Sequence, residues 1–414
     1  MTTPLQKPTR KNPVARTRQP ALPPGMRSRR ALGLTAAAAA GRFDMQVCQE
    51  CAAVQYPPRE VCHQCLSADL KWQAVNPKGK LLATTTLDHS NDAYFRERLP
   101  WRVGTVAMEA GPSVVAHVHG DCNDGDTVRL TLKLDRSGQA VLIALPQKPT
   151  PHMEDDPVLR ETACDPKFRR ALVTDGKTAV GRAVVKALLD AGATTVFVGD
   201  PEIWKKDAAF DALCADPRVQ VQDLNVSNTD AIERVAKSIG GKVEILVNTA
   251  NYERDGGVLF NRDIMKAYDT LNTNCMGLVR LAQHFGPAMS SRAADGVANA
   301  VAWVNVLSVY AHINLPSRGL WSASQAAALS VSQCLRNEFR PSGVRVVNIF
   351  TGPVDHEWEQ LTPPPRVAPS AIAKAVVQAL KDGTEDTVVG DVAKEVIELL
   401  QENPKGLERE LGGR

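Results

Sequence analysis

At 414 residues the chain is too long for one typical domain, so we expect two or three domains. Its composition, 43% hydrophobic and 23% charged, is ordinary for a soluble protein. No apolar run reaches the roughly 18 residues that a transmembrane helix needs, so we expect no membrane insertion.

The charge is unevenly distributed. Residues 1–43 hold nine Lys and Arg and no acidic residue, whereas the rest of the chain holds 40 basic and 46 acidic residues. Six prolines in the first 24 residues argue against a long helix there, and we expect residues 1–30 to form a disordered basic arm. Such an arm is also compatible with nucleic acid, a membrane surface, an acidic partner or, on charge alone, a mitochondrial presequence.

The chain shows a clear order of segments. After the arm we expect a short helix and a cysteine-patterned segment over 31–70, a strand-rich segment over 71–147, a linker over 148–168, a βαβ domain over 169–403 and a tail over 404–414. Five of the nine cysteines are scattered and are typical of reduced thiols, which indicates a reducing, cytoplasmic compartment.

Four cysteines follow the spacing Cys48-x2-Cys51-x10-Cys62-x2-Cys65. Two such CxxC knuckles each present a pair of thiolates to one tetrahedral Zn²⁺, and four Cys ligands leave no open position for water. The sequence therefore predicts a structural zinc site that drives folding of its own segment.

Alternating strands separated by Gly, Asp and Asn turns follow the second knuckle, from Gly79 to Leu130, and predict a five-stranded barrel. With the knuckles and the step Pro57-Pro58-Arg59, this region resembles the rubredoxin-like zinc ribbon and OB-fold family associated with thiolases and acyl-CoA metabolism. The resemblance implies a module that docks on a thiolase-like enzyme, through which acyl-CoA is bound. An OB fold also admits nucleic acid, but the mixed charge and few aromatic residues of 71–133 argue against that.

From Arg169 onward, short β-branched runs alternate with helical patterns, which predicts a doubly wound parallel sheet of the Rossmann type. The predicted strands are Ala171–Thr174, Thr195–Gly199, Val219–Gln222, Ile245–Val247, Val301–Leu307 and Val344–Phe350. The predicted helices include Arg182–Ala191, Asp230–Ser238, Ile264–His284 and Ser322–Arg340.

Residues 169–400 resemble the short-chain dehydrogenase/reductase family. Its Thr-Gly-x-x-x-Gly-x-Gly loop, which cradles a dinucleotide pyrophosphate, becomes Thr174-Asp175-Gly176-Lys177-Thr178-Ala179-Val180-Gly181, in which only the last glycine is in place. The resemblance implies NAD(H) as the cofactor and a cofactor-binding set comprising Thr174, Gly176, Gly181, Asp200, Asp223 and Asn248. The family's Asn-Asn-Ala-Gly becomes Asn248-Thr249-Ala250-Asn251. Asp175, in a glycine position, places a carboxylate near the expected phosphate.

The family's catalytic Ser and proton-relay Asn match Ser308 and Asn274. The family's Tyr, thirteen residues after Ser, is Trp321 here, and its Lys, four residues later, is Gln325. An indole N–H only donates hydrogen bonds, and a neutral amide cannot stabilise a phenolate, so the acid/base pair is lost. Tyr310 is an alternative acid, although no Lys follows it at four residues. We expect His312 and His356 to be structural.

Together these features predict a non-catalytic subunit or scaffold in acyl-CoA metabolism. It would pair with an active dehydrogenase of the same family, a thiolase-like enzyme or both, and would oligomerise through the helices 264–284 and 322–340. One alternative is an active, atypical NAD(P)-dependent dehydrogenase of the 3-hydroxyacyl-CoA type. Another is a nucleic-acid-binding protein that uses the arm and the OB fold.

Overall fold

The computed structural model describes residues 2–9, 20–259, 263–294, 299–355 and 364–413. It divides into two compact units, one mainly Pro20–Cys164 and the other mainly Asp165–Lys381 with Glu385–Arg414. Within the described residues, no helix is both long and apolar enough to cross a bilayer. All nine cysteines lie in these residues, and each is a free thiol.

The first unit begins with a short helical segment. A 3₁₀ turn, Arg29–Ala31, leads into α1 (Leu32–Ala39), which fits the helix predicted within 31–43. A side chain at Gly33 would overlap the indole of Trp72, with its Cβ only 2.0 Å from Trp72 Cε2. Glycine in this helix therefore permits a close approach to the strand that carries Trp72.

The cysteine-patterned segment forms a small antiparallel sheet in the order β2-β1-β3. Its strands are β1 (Asp44–Cys48), β2 (Val54–Gln55) and β3 (Leu70–Ala74). This sheet is the predicted ribbon.

The next five strands close into a barrel in the order β4-β5-β6-β8-β7, which confirms the predicted five-stranded barrel. They are β4 (Lys78–Leu87), β5 (Trp101–Met108), β6 (Ser113–Val118), β7 (Thr127–Leu134) and β8 (Ala140–Pro146), with the one-turn helix α2 (Ala93–Arg96) between β4 and β5. Buried and more exposed residues alternate along β7, because successive side chains point into and out of the barrel.

The predicted arm and linker are partly placed against this unit. Within 148–168 lie a 3₁₀ turn, Met153–Asp155, and the helix α3 (Pro157–Thr162), whose Val158 and Leu159 share an apolar cluster with Trp101. In the arm, the N–H of Leu5 donates to the Asp155 carboxylate. The described parts of both segments therefore contain specific contacts that their proline content did not predict.

The second unit is built on a seven-stranded parallel sheet in the order β11-β10-β9-β12-β13-β14-β15. The strands are β9 (Arg170–Val173), β10 (Thr195–Asp200), β11 (Val219–Asp223), β12 (Ile245–Asn248), β13 (Ala302–Ser308), β14 (Arg345–Thr351) and β15 (Asp386–Val389). This arrangement confirms the predicted Rossmann-type sheet.

Helices connect these strands and follow the last of them. They are α4 (Ala179–Asp190), α5 (Ala208–Cys214), α6 (Thr229–Ile239), α7 (Ile264–Leu271), α8 (Gly277–Arg292), α9 (Gly319–Phe339), α10 (Pro369–Asp382), α11 (Asp391–Glu402) and α12 (Pro404–Gly413). A π-helical segment, Asn272–Met276, joins α7 to α8, so the helix predicted over 264–284 is present with a widened turn around Asn274.

The sheet topology fixes where a site can form. In a doubly wound sheet, ligands bind outside the carboxyl ends of the strands, near the point where strand order reverses. Here β9 lies between β10 and β12, so the segments that follow these three strands meet at one edge. They carry Asp175, Asp200 and Asn251, and the end of β13 adds Ser308.

Candidate functional site

The two cysteine knuckles have the same backbone geometry. In the first, the N–H of Ala52 donates to the Cys48 carbonyl at 3.0 Å, and in the second, the N–H of Leu66 donates to the Cys62 carbonyl at 3.1 Å. Ala52 and Leu66 both have positive φ, 58° and 62°. Each knuckle thus turns tightly and directs its two sulfurs to the same side.

The four sulfurs of Cys48, Cys51, Cys62 and Cys65 converge, all within 4.8 Å of one another. A tetrahedral zinc with Zn–S bonds of about 2.3 Å requires sulfur–sulfur separations of about 3.8 Å. The pairs Cys48–Cys65 and Cys51–Cys62 are each 3.5 Å apart. The donor set therefore fits one structural Zn²⁺, and its four thiolates leave no position for a reactive water.

The thiols have different acidities. The N–H groups of Cys65 and Gln64 favour the Cys62 thiolate and lower the pKa of Cys62 to about 6. At Cys65 the N–H of Ser67 acts in the same direction, but the Cys51 thiol and desolvation outweigh it and raise the pKa of Cys65 to about 12. A divalent cation at the centre would hold all four as thiolates and remove this conflict.

In the second unit, the loop after β9 is held by its own carboxylate. Asp175 Oδ1 accepts hydrogen bonds from the N–H of Lys177 at 3.0 Å and of Thr178 at 3.4 Å. Thr178 in turn caps α4, its hydroxyl accepting from the N–H of Gly181 at 3.0 Å. The N–H groups of Lys177, Thr178 and Gly181 therefore already have acceptors within the chain.

The Asp175 carboxyl lies in an unfavourable environment for a negative charge. Burial raises the pKa of Asp175 to about 6, against the opposing effect of its two N–H donors. The nearby charges of Asp200 and Glu202 raise it further. The loop thus places a buried carboxyl where the family binds phosphate.

Asp200, at the end of β10, is also paired within the chain. Its carboxylate lies 2.8 Å from the Lys177 ammonium, and both side chains are largely buried. Lys177 also donates to the backbone carbonyls of Glu202 and Lys205. The acid that the resemblance assigns to a ribose therefore binds the lysine of the loop.

The glycines of the loop are required for packing. A Cβ at Gly181 would lie 1.8 Å from the Asp175 carbonyl oxygen, and a Cβ at Gly176 would lie 2.0 Å from Val198 Cγ1. Their presence is explained by the close approach of loop, helix and strand, without reference to a ligand.

The remaining predicted cofactor residues divide into two groups. The Thr174 hydroxyl donates to Asn248 Oδ1 at 2.9 Å, so these two residues join the ends of β9 and β12. Asp223 lies apart from them at the end of β11, where it pairs with Arg234 at 3.2 Å on the surface.

Trp321 and Gln325 meet on one acceptor. The Trp321 indole N–H donates to Asn251 Oδ1 at 3.0 Å, and the Gln325 side-chain amide donates to the same oxygen at 3.2 Å. Trp321 and Gln325 are buried, whereas Asn251 is exposed. The spacing of four residues on α9 places both donors on one face of the helix.

Ser308 and Asn274 make hydrogen bonds around Trp321, Gln325 and Asn251, several of them with backbone groups. The N–H of Ser308 donates to Gln325 Oε1 at 3.0 Å, and the Ser308 hydroxyl accepts from the N–H of Tyr310 at 3.2 Å. Asn274 exchanges two hydrogen bonds with the backbone of Tyr252 and donates to the Ser324 hydroxyl at 2.8 Å. The structure therefore brings Ser308, Asn251, Trp321 and Gln325 together, with Asn274 fixing the segment after Asn251.

The C-terminal helices contact the same region. One apolar cluster contains Trp321, Tyr310, Val396 of α11 and Leu407 of α12. The rings of Tyr310 and Trp321 are 6.3 Å apart in an edge-to-face arrangement. The ring of His312 packs 4.5 Å from that of Phe350, while His356 lies outside the described residues.

The fold and these sites define a fusion of a zinc ribbon, an OB-type barrel and a Rossmann-type dehydrogenase domain. Family models match accordingly: the rubredoxin-like zinc ribbon domain of ChsH2 over residues 35–71, the C-terminal OB-fold domain of ChsH2 over 72–133, and short chain dehydrogenase over 169–364. The chain belongs to the short-chain dehydrogenase family and carries ChsH2-type domains ahead of the dehydrogenase domain, as the sequence predicted.

Individual relatives agree with this assignment. A farnesol dehydrogenase of Aedes aegypti is 30% identical over 197 residues, which cover 45% of this chain and 78% of the relative. A crystal structure of a Burkholderia cenocepacia short chain dehydrogenase in complex with NADP is 30% identical, with a TM-score of 0.54, and covers 60% of this chain and 98% of that one. A dehydrogenase from Streptomyces avermitilis, 21% identical with a TM-score of 0.50, shares the fold, covering 59% of this chain and 96% of that one.

Sequence reasoning noted Asn251 only as a departure from a glycine and did not predict its contacts. The sequence does show an amide at Asn251 in place of a Gly and an indole at Trp321 in place of a Tyr, which are an acceptor and a donor, but the 70 residues between them hide the pairing. The C-terminal helices were likewise not connected with Trp321, since α11 and α12 lie about 70 residues or more further along the chain.

Proposed function

We propose that this chain is a non-catalytic member of the short-chain dehydrogenase family that acts as a subunit or scaffold in acyl-CoA metabolism. The observation that carries the proposal is the shared hydrogen bonding of Trp321 and Gln325 to Asn251. Where the family has a proton-donating Tyr and a Lys that lowers its pKa, two neutral donors bind a protein oxygen.

Proton transfer is the step that this arrangement lacks. Oxidation of an alcohol by a nicotinamide needs a base for the hydroxyl proton, and reduction needs an acid. The Trp321 indole has no usable pKa, and the Gln325 amide carries no charge to stabilise an anion. The Ser308 hydroxyl, which accepts from the Tyr310 N–H, could orient a carbonyl but would have no partner to move the proton.

The apolar cluster of Trp321 with the C-terminal helices also supports a non-catalytic role. Because Trp321 packs with Val396 and Leu407, the C-terminal helices cover the ring that replaces the catalytic phenol. The alternative acid Tyr310 is buried in that cluster, which disfavours a dehydrogenase that uses it.

The ribbon and barrel supply the acyl-CoA side of the proposal. By their resemblance to the acyl-CoA-associated family, they would dock on a thiolase-like enzyme. The barrel offers no obvious platform for nucleic-acid bases, because Tyr94 and Trp101, which stacking would need on the surface, are buried. We therefore favour a protein partner over nucleic acid.

A partner dehydrogenase would supply the missing chemistry. The face of α7 carries the exposed apolar residues Ile264, Met265, Tyr268 and Leu271, and Met276 follows in the π segment. Exposed apolar residues on a helix favour protein association. They support pairing of this domain with an active homologue or with a second copy.

A turnover assay tests the proposal. Purified protein is incubated with 3-hydroxyacyl- and 3-oxoacyl-CoA of several chain lengths, each with NAD(H) and NADP(H), and the change in reduced nicotinamide is followed. We expect no turnover from the wild type, and the same rate from Ser308→Ala and Tyr310→Phe. Turnover that either substitution abolishes would establish an atypical dehydrogenase instead.

A further inference from the structure

Side chains of this chain bind one another, or its backbone, at the positions where the family holds a dinucleotide. Three places that a dinucleotide would use are affected: the turn at the start of α4, the acid at the end of β10, and the surface beside α9. The side chains at these places are those of Asp175, Lys177 and Asn251, and each makes a direct hydrogen bond or ion pair.

At the turn, Asp175 takes the role of an anionic ligand. Backbone N–H groups at a helix N-terminus bind phosphate because they are unpaired donors in a positive field. Here the N–H groups of Lys177 and Thr178 point at Asp175 Oδ1, and the N–H of Gly181 points at the Thr178 hydroxyl. A pyrophosphate would have to displace the carboxylate and then lie beside it.

At the position where the family binds ribose, the Lys177 ammonium binds the carboxylate that would otherwise bind the ribose hydroxyls. A carboxylate at the end of β10 can accept hydrogen bonds from ribose hydroxyls only if its oxygens are available. Asp200 Oδ1 is 2.8 Å from the Lys177 ammonium and also accepts from the N–H of Glu202 at 2.9 Å. Because the side chains of Asp200 and Lys177 are 7% and 12% exposed, this pair is poorly screened by solvent, and separating it would be costly.

Beside α9, the Asn251 side chain extends from a position that the family leaves to glycine. Its oxygen is held by Trp321 and Gln325, so its side chain is fixed at the edge of the cleft. We infer that Asp175, Lys177 and Asn251 act as built-in substitutes for a dinucleotide, and that the domain keeps its fold with this cleft closed to NAD(H) and NADP(H). This goes beyond the proposed function, because a domain without a proton-transfer pair could still hold a dinucleotide.

Opening the turn tests the inference. We would compare wild type, Asp175→Ala and the double variant Asp175→Ala/Lys177→Ala by calorimetric titration with NAD⁺, NADH and NADPH. The matched control is Asp175→Asn, which removes the charge but keeps an oxygen for the N–H groups of Lys177 and Thr178. A cooperative thermal transition establishes that each variant is folded, and Asp175→Gly serves as a second opened variant if the alanine variants do not fold.

We expect no saturable binding by wild type or Asp175→Asn at millimolar dinucleotide. We expect the opened variants to gain at least tenfold in affinity. Binding by the wild type with a submillimolar Kd would overturn the inference while leaving the proposed lack of proton transfer intact. An opened, folded variant that gains nothing would also overturn it, because these side chains would then not be the obstacle.

Discussion

Trp321 and Asn251 are joined by a hydrogen bond of 3.0 Å from the indole N–H to the side-chain oxygen. Gln325 donates to the same oxygen at 3.2 Å. Each of these three residues replaces a different residue of the family pattern, namely Tyr, Gly and Lys. Three departures therefore meet at one atom and satisfy one another, which indicates a cluster with a structural role of its own.

Removal of the shared acceptor should destabilise the second unit. Asn251→Ala leaves the Trp321 indole N–H and part of the Gln325 amide without their acceptor, and we expect a loss of about 1 kcal/mol in the free energy of unfolding. Urea denaturation measures it. The exposed Asn337 of α9 provides the control, since Asn337→Ala should change the free energy by less than about 0.5 kcal/mol.

The losses of stability caused by substitutions at Asn251 and Gln325 should not be additive. The double variant Asn251→Ala/Gln325→Ala should lose less stability than the sum of the two single variants, by about 0.5 kcal/mol or more, because the two residues share one hydrogen bond. Additive losses would show that the contact contributes nothing of its own.

Restoring the family's acid/base pair should be insufficient for activity. In Trp321→Tyr/Gln325→Lys the proton-transfer groups return, but the contacts of Asp175 and Lys177 that we infer exclude a dinucleotide remain. We expect the rate of nicotinamide reduction or oxidation with acyl-CoA substrates to stay at background. Turnover by this double variant alone would show that the cleft is open in the wild type.

The Asp175 carboxyl should give a characteristic pH dependence. Burial raises the pKa of Asp175 to about 6 from 3.8 in the unfolded chain, so the native state binds more protons between these values. Its contribution to stability is complete below pH 3.8 and is lost as pH rises through about 6. Asp175→Asn lacks this loss, so its stability relative to wild type should rise by about 2–3 kcal/mol between pH 4 and pH 7.5.

The measurement is the difference in unfolding free energy between Asp175→Asn and wild type at matched pH. That difference should grow from pH 4 to pH 7 and then stay constant. A difference that is the same at every pH would mean that Asp175 titrates normally in the folded protein.

Zinc removal should unfold the ribbon while sparing the second unit. We expect one zinc per chain by elemental analysis, and its loss in Cys62→Ser, because three thiolates no longer close the tetrahedron. Cys334→Ser, at an exposed position on α9, should retain the metal. Protease cleavage confined to residues 31–75 after chelation would support a structural metal, and an unchanged cleavage pattern would contradict it.

Much of the fold could be read from local patterns. The cysteine spacing, the five alternating strands and the βαβ periodicity each depend on residues close in sequence, and all three predictions are confirmed. The strand β15 (Asp386–Val389) was missed because none of its residues is fully buried, whereas the equally short β12 is buried throughout and has a clear apolar pattern. The helix α3 was missed because the prolines and acidic residues around it are typical of loops.

The site was less accessible to sequence reasoning, because its contacts join distant segments. Trp321 and Gln325 were identified by register, but Asn251 lies 70 and 74 residues from them. Asp175 was recognised as a misplaced carboxylate, whereas its hydrogen bonds to Lys177 and Thr178 depend on the local turn. The departures of Trp321 and Gln325 from the family pattern can thus be predicted from the sequence, while the acceptor that they share can be identified only in the structure.

The proposed function requires a partner that performs the chemistry. The direct measurement is purification of the native protein from its source cell under mild conditions, with the mass of the complex and its components determined by mass spectrometry. We predict a stoichiometric complex with a thiolase-like enzyme, an active short-chain dehydrogenase or both. A protein that purifies alone, as a plain homo-oligomer, would contradict the account.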